Sequence, residues 1–234
     1  MVARAEANGD GRTVLVTGGA SGLGRAVTEA VREAGWCPAV LDRQPADGFD
    51  HELVDLADGG RAETAVRAVS ERSGGLFAVV TAAGIDACGP LERVPREAWD
   101  RVVAVNLLGT AAVVRAALPS LLETGGRVVT VASTLGLRAL PDASAYCASK
   151  FGVVGFTRAL ALEMAGRVGV TLLVPGGMRT AFFDGRDAQH RPGPDAQLNS
   201  PADVAAAVVF ALRQPPGCEL RELIITPSLE PSWP

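Results

Sequence analysis

The chain has 234 residues, of which 48% are hydrophobic, and a formal net charge of −4. This length and composition are sufficient for one sizeable domain with a buried core. The weak acidic charge, without a basic stripe or polybasic patch, argues against nucleic acid and membrane surfaces as partners. The apolar runs look too short to span a membrane, and residues 1–11 lack the apolar segment of a signal peptide. We therefore expect a cytoplasmic protein.

Short apolar runs alternate with helical periodicity along the chain. Strands are predicted at 13–17, 38–42, 52–54, 76–81, 127–132, 170–174 and 222–226. Helices are predicted from the first glycine-rich turn to residue 34, and at 58–72, 96–117, 144–165 and 201–213. Continuous apolar strands joined by helices are typical of a parallel sheet covered on both faces. The sequence therefore predicts an α/β fold with a single doubly wound, Rossmann-like sheet.

Residues 12–234 are expected to form this one domain, preceded by a flexible tail at 1–11. The stretch 175–200 is rich in glycine and proline and is long for a connection, which is typical of a lid or substrate loop. Three of its apolar side chains follow a Pro-Gly turn and are candidates for a substrate pocket. They are Met178, Phe182 and Phe183.

A glycine-rich turn with the pattern TGxxxGxG, residues 17–24, follows the first predicted strand and opens the first helix. Glycines there let the backbone approach a pyrophosphate, whose charge the free N–H groups of the helix can bind. Asp42 ends the second strand, where a carboxylate can bind ribose hydroxyls and would repel a 2′-phosphate. Asp42, together with Ser21 where a basic residue would help NADP, favours NAD. Asp42 could also be an ordinary turn residue, and Arg43 could partly compensate a phosphate.

The chain contains one tyrosine, Tyr146, and one lysine, Lys150. Residues four apart on a helix share a face, so the two side chains should point the same way. A nearby ammonium stabilises a phenolate and lowers the pKa of the phenol, which makes tyrosine a usable proton donor and acceptor. The hydroxyl of Ser133 could hold the substrate oxygen beside it. On its own, the short YxxxK pattern would favour a surface lysine and a half-buried tyrosine on an amphipathic helix.

Taken in order, these motifs resemble the ordinary short branch of the short-chain dehydrogenase/reductase family over about residues 12–226. The chain matches the family at TGxxxGxG, at Asn106 in AVNLLGT, at Ser133, at YxxxK and at the Pro-Gly segment 175–180. It departs at 81–84, where Thr-Ala-Ala-Gly stands in place of Asn-Asn-Ala-Gly. We expect this loss of two amides to alter the bracing of the sheet without abolishing catalysis.

The resemblance implies roles for individual residues. Tyr146 would be the acid/base and Ser133 would orient the substrate oxygen. Lys150 would bind the nicotinamide ribose and lower the pKa of Tyr146, and Asn106 would hold a water that links Lys150 to solvent. The implied cofactor contacts are Gly18, Ser21, Gly22, Leu23, Gly24, Asp42, Asp55, Leu56, Ala83, Gly84, Tyr146, Lys150, Pro175, Gly176 and Thr180.

The sequence thus predicts an NAD(H)-dependent oxidoreductase that transfers hydride between the nicotinamide and a secondary alcohol or ketone. The resemblance also implies a homo-oligomer, a tetramer or a dimer, paired through its long helices. Two alternatives stay open: an NADPH-dependent ketoreductase, and a non-catalytic module that senses NAD. The complete set of four catalytic positions weighs against the second alternative.

Metal-ligand patterns are absent from the sequence, and we predict no metal site. The four cysteines are scattered, with no CxxC pair and no histidine at ligand spacing. We interpret His51 and His190 as solvated loop histidines.

Overall fold

A computed structural model describes residues 11–233, so all but the last residue of the predicted tail at 1–11 lies outside the described residues. Seven parallel strands form one sheet in the order β3-β2-β1-β4-β5-β6-β7. The strands are β1 Thr13–Thr17, β2 Cys37–Asp42, β3 Asp50–Leu53, β4 Ala78–Thr81, β5 Arg127–Val131, β6 Gly169–Pro175 and β7 Glu222–Ile225. The predicted fold class, a doubly wound parallel sheet, is confirmed.

Helices cover both faces of the sheet. They are α1 Gly22–Glu33, α2 Gly59–Ser73, α3 Arg96–Val103, α4 Thr110–Thr124, α5 Ser144–Glu163 and α6 Pro201–Leu212. Successive residues of a strand point to opposite faces, and β1 shows this clearly. Leu15 packs with residues of α2, α4 and α5, whereas Val14 and Val16 pack with residues of α1 and α6. The sequence alternation of apolar strand and amphipathic helix therefore builds two cores, one on each face.

The strand order reverses between β1 and β4. From β1 the chain moves outward through β2 and β3, and it then returns to β4 on the other side. Ligands of doubly wound folds bind in the crevice outside the carboxyl ends of the strands at such a reversal. Thr17, Asp42 and Thr81 end their strands at this edge of the sheet.

The predicted helix at 96–117 is interrupted. A wider π-helical turn, Ala104–Gly109, separates α3 from α4 and contains Asn106. Gly109 lets this turn pack closely against the loop after β3, because a Cβ there would lie 2.7 Å from the carbonyl oxygen of Leu56. Helix α4 also runs past the predicted end, since it stops at Gly125, whose φ of 60° lies in the left-handed region. Periodicity alone does not distinguish a π turn from an α turn.

The expectation that every apolar run is too short to span a membrane is wrong for one helical segment. Arg96–Thr124 is long and apolar enough to cross a membrane by length and composition, with a mean hydropathy of 1.7. Half of its most apolar window is buried within the protein, and α4 contributes Val113, Ala117 and Leu121 to the core. Its apolar character is thus that of a core helix.

The stretch 175–200 contains only short 3₁₀ turns, at Ala181–Phe183 and Ala188–His190, and one isolated bridge between Met178 and Asn199. This agrees with the irregular structure predicted for it. We call residues 176–200 the lid segment; its action as a lid stays a prediction.

Candidate active site

The glycine-rich turn lies against the loop that follows β4. Gly18 has a φ of +74°, and a Cβ there would lie 2.8 Å from the Cα of Ala83. Ser21 occupies the N-cap of α1 but makes no side-chain cap hydrogen bond. The first N–H groups of α1, which include those of Leu23 and Gly24, therefore point at the crevice without a side-chain acceptor at the cap. A close backbone approach and an uncapped helix N-terminus fit a dinucleotide pyrophosphate.

Asp42 is fixed at the same turn. Its carboxylate accepts one hydrogen bond from the backbone N–H of Ala20 at 3.0 Å and another from that of Gln44 at 3.0 Å. The carboxylate thus stands at the carboxyl end of β2, half-buried beside the glycines. An acceptor at this place fits the ribose hydroxyls of a bound adenosine.

Asp55 and Leu56 follow β3 at the next position along this edge. Asp55 accepts a hydrogen bond from the Arg101 guanidinium at 2.6 Å and one from the N–H of Ala57 at 3.0 Å. Leu56 is only 5% exposed and packs in the core beneath α4. The two residues are therefore oriented differently, with the carboxylate at the surface and the leucine side chain inside.

The predicted catalytic residues converge at the carboxyl end of β5. The phenol of Tyr146 is hydrogen-bonded to the side chain of Ser133. Lys150, one helical turn further along α5, is buried and donates from Nζ to the carbonyl oxygen of Val131 at 2.8 Å. Its Nζ lies 5.7 Å from the centroid of the Tyr146 ring. The shared helix face that the spacing predicts thus carries both groups.

Burial dominates the ionisation of this pair. Burial of the Tyr146 phenol raises its pKa to about 12, while the hydrogen bond from Ser133 acts in the opposite direction. Burial also lowers the pKa of Lys150 to about 8. With the protein's own groups alone, the expected lowering of the Tyr146 pKa by Lys150 is thus not found: burial raises that pKa, and the groups that oppose the rise are Ser133 and Arg186.

Asn106 braces the loop after β4. It is fully buried, its Oδ1 accepts from the N–H of Ile85 at 2.8 Å, and its Nδ2 donates to the carbonyl of Ile85 at 2.9 Å and to Ser149 at 3.0 Å. On the other side, the N–H of Ala83 donates to the hydroxyl of Thr17 at 3.1 Å. Thr81, which stands where the family has an amide, has a buried hydroxyl with no partner. In this chain, Asn106 and Thr17 therefore brace the loop after β4.

Gly84 and Thr180 are predicted cofactor contacts that lie at two other points of the crevice. A Cβ on Gly84 would lie 3.6 Å from both Asn106 Oδ1 and Lys150 Nζ. A Cβ on Gly22 would lie 3.6 Å from Cγ2 of Thr180, so the loop after β6 reaches back over the start of α1. In that loop Pro175 is buried at the end of β6, and the N–H of Gly176 donates to the carbonyl of Ile225 at 2.9 Å. The predicted cofactor residues at both ends of the crevice are thus brought together.

The predicted pocket residues of the lid segment separate into two groups. The ring of Phe182 lies 5.6 Å from that of Tyr146, and Phe183 packs edge-on against Phe182 at 5.7 Å. Met178, in contrast, packs against the core shared by α1 and α6. Phe182 therefore adjoins Tyr146 and Phe183 packs behind it, whereas Met178 lies in the core.

The sequence interpretation did not assign Asp86, Arg186 or Asp142 to the site, and it treated His190 as solvated. Asp86 pairs with Arg186 at 2.8 Å, and Asp142 pairs with His190 at 3.2 Å. The position of Asp86, two residues beyond Gly84 at the carboxyl edge of β4, was a usable signal. The interpretation of His190 as a solvated loop residue is wrong, because its side chain is 14% exposed and bonded to Asp142. His51 lies in β3, half-buried, with its Nδ1 3.0 Å from the carbonyl of Phe49.

Within residues 11–233, no cluster of three or more histidine, cysteine, aspartate or glutamate side chains has the geometry to hold a metal ion.

Comparison with known proteins agrees with this geometry. The family profile described as short chain dehydrogenase matches residues 12–191. The chain is 35% identical over 222 residues to a D-threitol dehydrogenase of Mycolicibacterium smegmatis, with 86% of this chain and 85% of that one covered. It is 35% identical over 176 residues to a D-beta-hydroxybutyrate dehydrogenase of Cupriavidus necator, with coverage of 69% and 68%.

Among solved structures, an alcohol dehydrogenase of Thermococcus sibiricus complexed with 5-hydroxy-NADP superposes with a TM-score of 0.81 at 25% identity. The alignment covers 91% of this chain and 95% of that one. The crevice, the Ser133–Tyr146–Lys150 arrangement and these matches lead to one conclusion: the chain belongs to the short-chain dehydrogenase/reductase family of oxidoreductases.

Proposed function

We propose that this protein is an NAD(H)-dependent oxidoreductase that interconverts a secondary alcohol and its ketone, with Tyr146 as the acid/base. The observation that carries the proposal is the position of the Tyr146 phenol. It is hydrogen-bonded to Ser133, backed by buried Lys150, and flanked by Phe182. A substrate oxygen that entered between Phe182 and the glycine-rich crevice would meet both hydroxyls.

When bound, the nicotinamide would supply or accept the hydride, and the residues of this chain would move the proton. Because the pKa of Tyr146 is raised to about 12, the phenol carries its proton at neutral pH and can donate it to a carbonyl oxygen. Ser133 would hold the same oxygen in place. In the oxidation direction Lys150, fixed by the Val131 carbonyl, would stabilise the phenolate that must form.

The choice of NAD rests on Asp42. Its carboxylate sits beside the turn that would hold the adenosine phosphate, where a 2′-phosphate would meet like charge. The second candidate is use of NADPH, favoured by the exposed Arg43 next to Asp42 and by the NADP analogue in the relative from Thermococcus sibiricus. Dissociation constants for NADH and NADPH, measured by protein fluorescence quenching, distinguish the two. Tighter binding of NADPH would overturn the choice of NAD.

The proposed chemistry is tested by Tyr146→Phe. We expect the loss of the acid/base hydroxyl to reduce kcat by at least ~10²-fold in a panel of secondary alcohols followed by NADH absorbance. The affinity for NADH should change little, because the phenol ring and Lys150 are retained. Undiminished turnover in this variant would sink the assignment of Tyr146.

We further propose a homo-oligomer located in the cytoplasm. Three large apolar side chains are exposed near the long helices: Leu108 at 60%, Phe151 at 45% and Leu162 at 80%. We infer that these exposed apolar side chains contribute to a subunit interface. Light scattering of the purified protein measures the number of subunits, and a monomer would contradict the proposal.

A further inference from the structure

An ion pair links the lid segment to the loop after β4, beside the catalytic tyrosine. Arg186 donates from Nη2 to Oδ2 of Asp86 at 2.8 Å, and the two side chains are only 16% and 8% exposed. The Arg186 guanidinium also lies over the rings of Phe182 and Phe183, 4.8 and 4.7 Å from their centroids. Since Phe182 contacts the ring of Tyr146, a single aromatic ring separates the guanidinium from the phenol.

The guanidinium has a donor that the protein does not use. Besides Asp86, Arg186 donates weakly to the carbonyl of His190 at 3.4 Å. Its Nε is buried and has no hydrogen-bond partner. A buried donor on a charged group is costly to leave unpaired, and a ligand oxygen that reached Arg186 beside Tyr146 would supply the missing acceptor.

The charges around this donor disfavour an anionic acceptor. Asp86 already neutralises Arg186, and its oxygens also accept from the N–H of Ala87 at 2.7 Å and the thiol of Cys88 at 3.0 Å. Asp142, paired with His190, adds a second carboxylate to the same region. A substrate carboxylate would be brought close to Asp86 in a site with little solvent to screen the repulsion. A neutral oxygen meets no such repulsion.

We propose that Asp86 and Arg186 determine substrate specificity by selecting a neutral substrate that carries a second hydroxyl group, such as a diol or polyol. This inference rests on the proposed alcohol dehydrogenase activity. The reacting hydroxyl is held by Tyr146 and Ser133, while the second hydroxyl accepts a hydrogen bond from Nε of Arg186. Asp86 orients the guanidinium and excludes carboxylates from the place of the second hydroxyl.

Three probes of equal carbon count test the proposal, because they differ only at the terminal carbon two bonds from the secondary alcohol carbon. Butan-2-ol carries a methyl group there, butane-1,3-diol a hydroxymethyl group and 3-hydroxybutyrate a carboxylate. Formation of NADH gives kcat/KM for each probe, and analysis of the products confirms oxidation at the secondary carbon. We expect kcat/KM for the diol to exceed that for each of the other two probes by at least ~10-fold, since a site that hydrogen-bonds a hydroxyl discriminates against analogues that lack it.

Two variants assign this preference to the ion pair. Arg186→Met keeps a long side chain against the two phenylalanines but has no donor. It should lower kcat/KM for the diol ~10–100-fold and change that for butan-2-ol less than ~3-fold. Asp86→Asn keeps the shape of the side chain but removes the charge. It should therefore raise kcat/KM for 3-hydroxybutyrate relative to kcat/KM for the diol by ~10-fold. Arg179→Met, which replaces an exposed arginine of the same segment, is the matched control and should preserve the order of the probes.

The outcomes separate the two proposals. Equal kcat/KM for butan-2-ol and the diol, a preference for 3-hydroxybutyrate in the unaltered enzyme, or an unchanged preference in Arg186→Met would each overturn the specificity assignment. Absence of NADH formation with every secondary alcohol, in a protein that binds NADH, would instead contradict the proposed dehydrogenase activity. Thermal melting of each variant shows that the comparison is made on folded protein.

Discussion

The cofactor side and the substrate side of Tyr146 are built by different means. On the cofactor side, Gly18, Asp42 and Lys150 sit at strand ends or on a helix, and their contacts are largely with backbone atoms. On the substrate side, Asp86 and Arg186 sit in loops and meet each other through their side chains. The sheet thus fixes the first region, while a few side-chain contacts fix the second.

This difference has a consequence for how the two regions respond to substitution. Backbone packed against backbone cannot yield without shifting a strand, so small changes there should be costly. Loops held by side chains can shift, so similar changes should cost little stability and act mainly on which substrate is bound.

The sharpest test compares two glycines that both have positive φ. Gly18 (φ +74°) would place a Cβ 2.8 Å from the Cα of Ala83, whereas Gly185 of the lid segment (φ +80°) has open space around it. We expect Gly18→Ala to lower the free energy of unfolding by roughly 3 kcal/mol, from backbone strain plus overpacking. Gly185→Ala should cost only about 1 kcal/mol, from strain alone.

Urea unfolding of the two variants measures both costs, and NADH binding shows whether the turn has kept its shape. Gly18→Ala should also weaken NADH binding, because the turn must move away from Ala83. Equal destabilisation by the two substitutions would show that the close approach of the turn to Ala83 contributes nothing to stability.

The ionisation of Tyr146 offers a second test, because it is the only tyrosine. Burial raises its pKa from 10.0 to about 12, so tyrosinate absorbance near 295 nm should appear only at strongly alkaline pH. The folded protein holds the proton more tightly than the unfolded chain, so stability is lost as pH rises between the two values. A pH jump on folded protein, with the unfolded protein as reference and Tyr146→Phe as blank, measures the shift.

If Tyr146 of the folded protein titrates near the ordinary pKa of tyrosine, its phenol is solvated. In that case Phe182 and the lid segment would not enclose the phenol of Tyr146. The contrast between the cofactor side and the substrate side of Tyr146 would then weaken.

The sequence was sufficient for the cofactor side because its rules are local. The glycine-rich turn, Asp42 at a strand end and the Tyr146–Lys150 spacing each follow from a strand or helix that periodicity predicts. The π turn around Asn106 was not predictable in this way, since periodicity does not separate it from an α turn. Its close packing against the chain joins Gly109 to Leu56, 53 positions earlier.

The substrate side was harder to predict because its contacts join distant loops. Arg186 and Asp86 are 100 residues apart, and Asp142 and His190 are 48 apart. Nothing in the local sequence around His190 distinguishes a bonded histidine from a solvated one. The lid segment was recognisable by its glycines and prolines, but the partners of its side chains depend on the tertiary fold.

The smallest expected effect belongs to Asp42, at the adenosine end of the cofactor side. Asp42→Asn keeps one acceptor for the N–H of Ala20 but removes the charge, so the turn should persist. We expect NADH affinity to fall by ~10-fold, about 1.4 kcal/mol, because hydrogen bonds from ribose hydroxyls to a neutral amide are weaker than those to a carboxylate. NADPH affinity should rise, since the like charge opposite its 2′-phosphate is gone. Asp47→Asn, an exposed carboxylate in the following loop, should leave both affinities unchanged; an equal effect of the two substitutions would mean that general surface charge, not the position of Asp42, sets the cofactor preference.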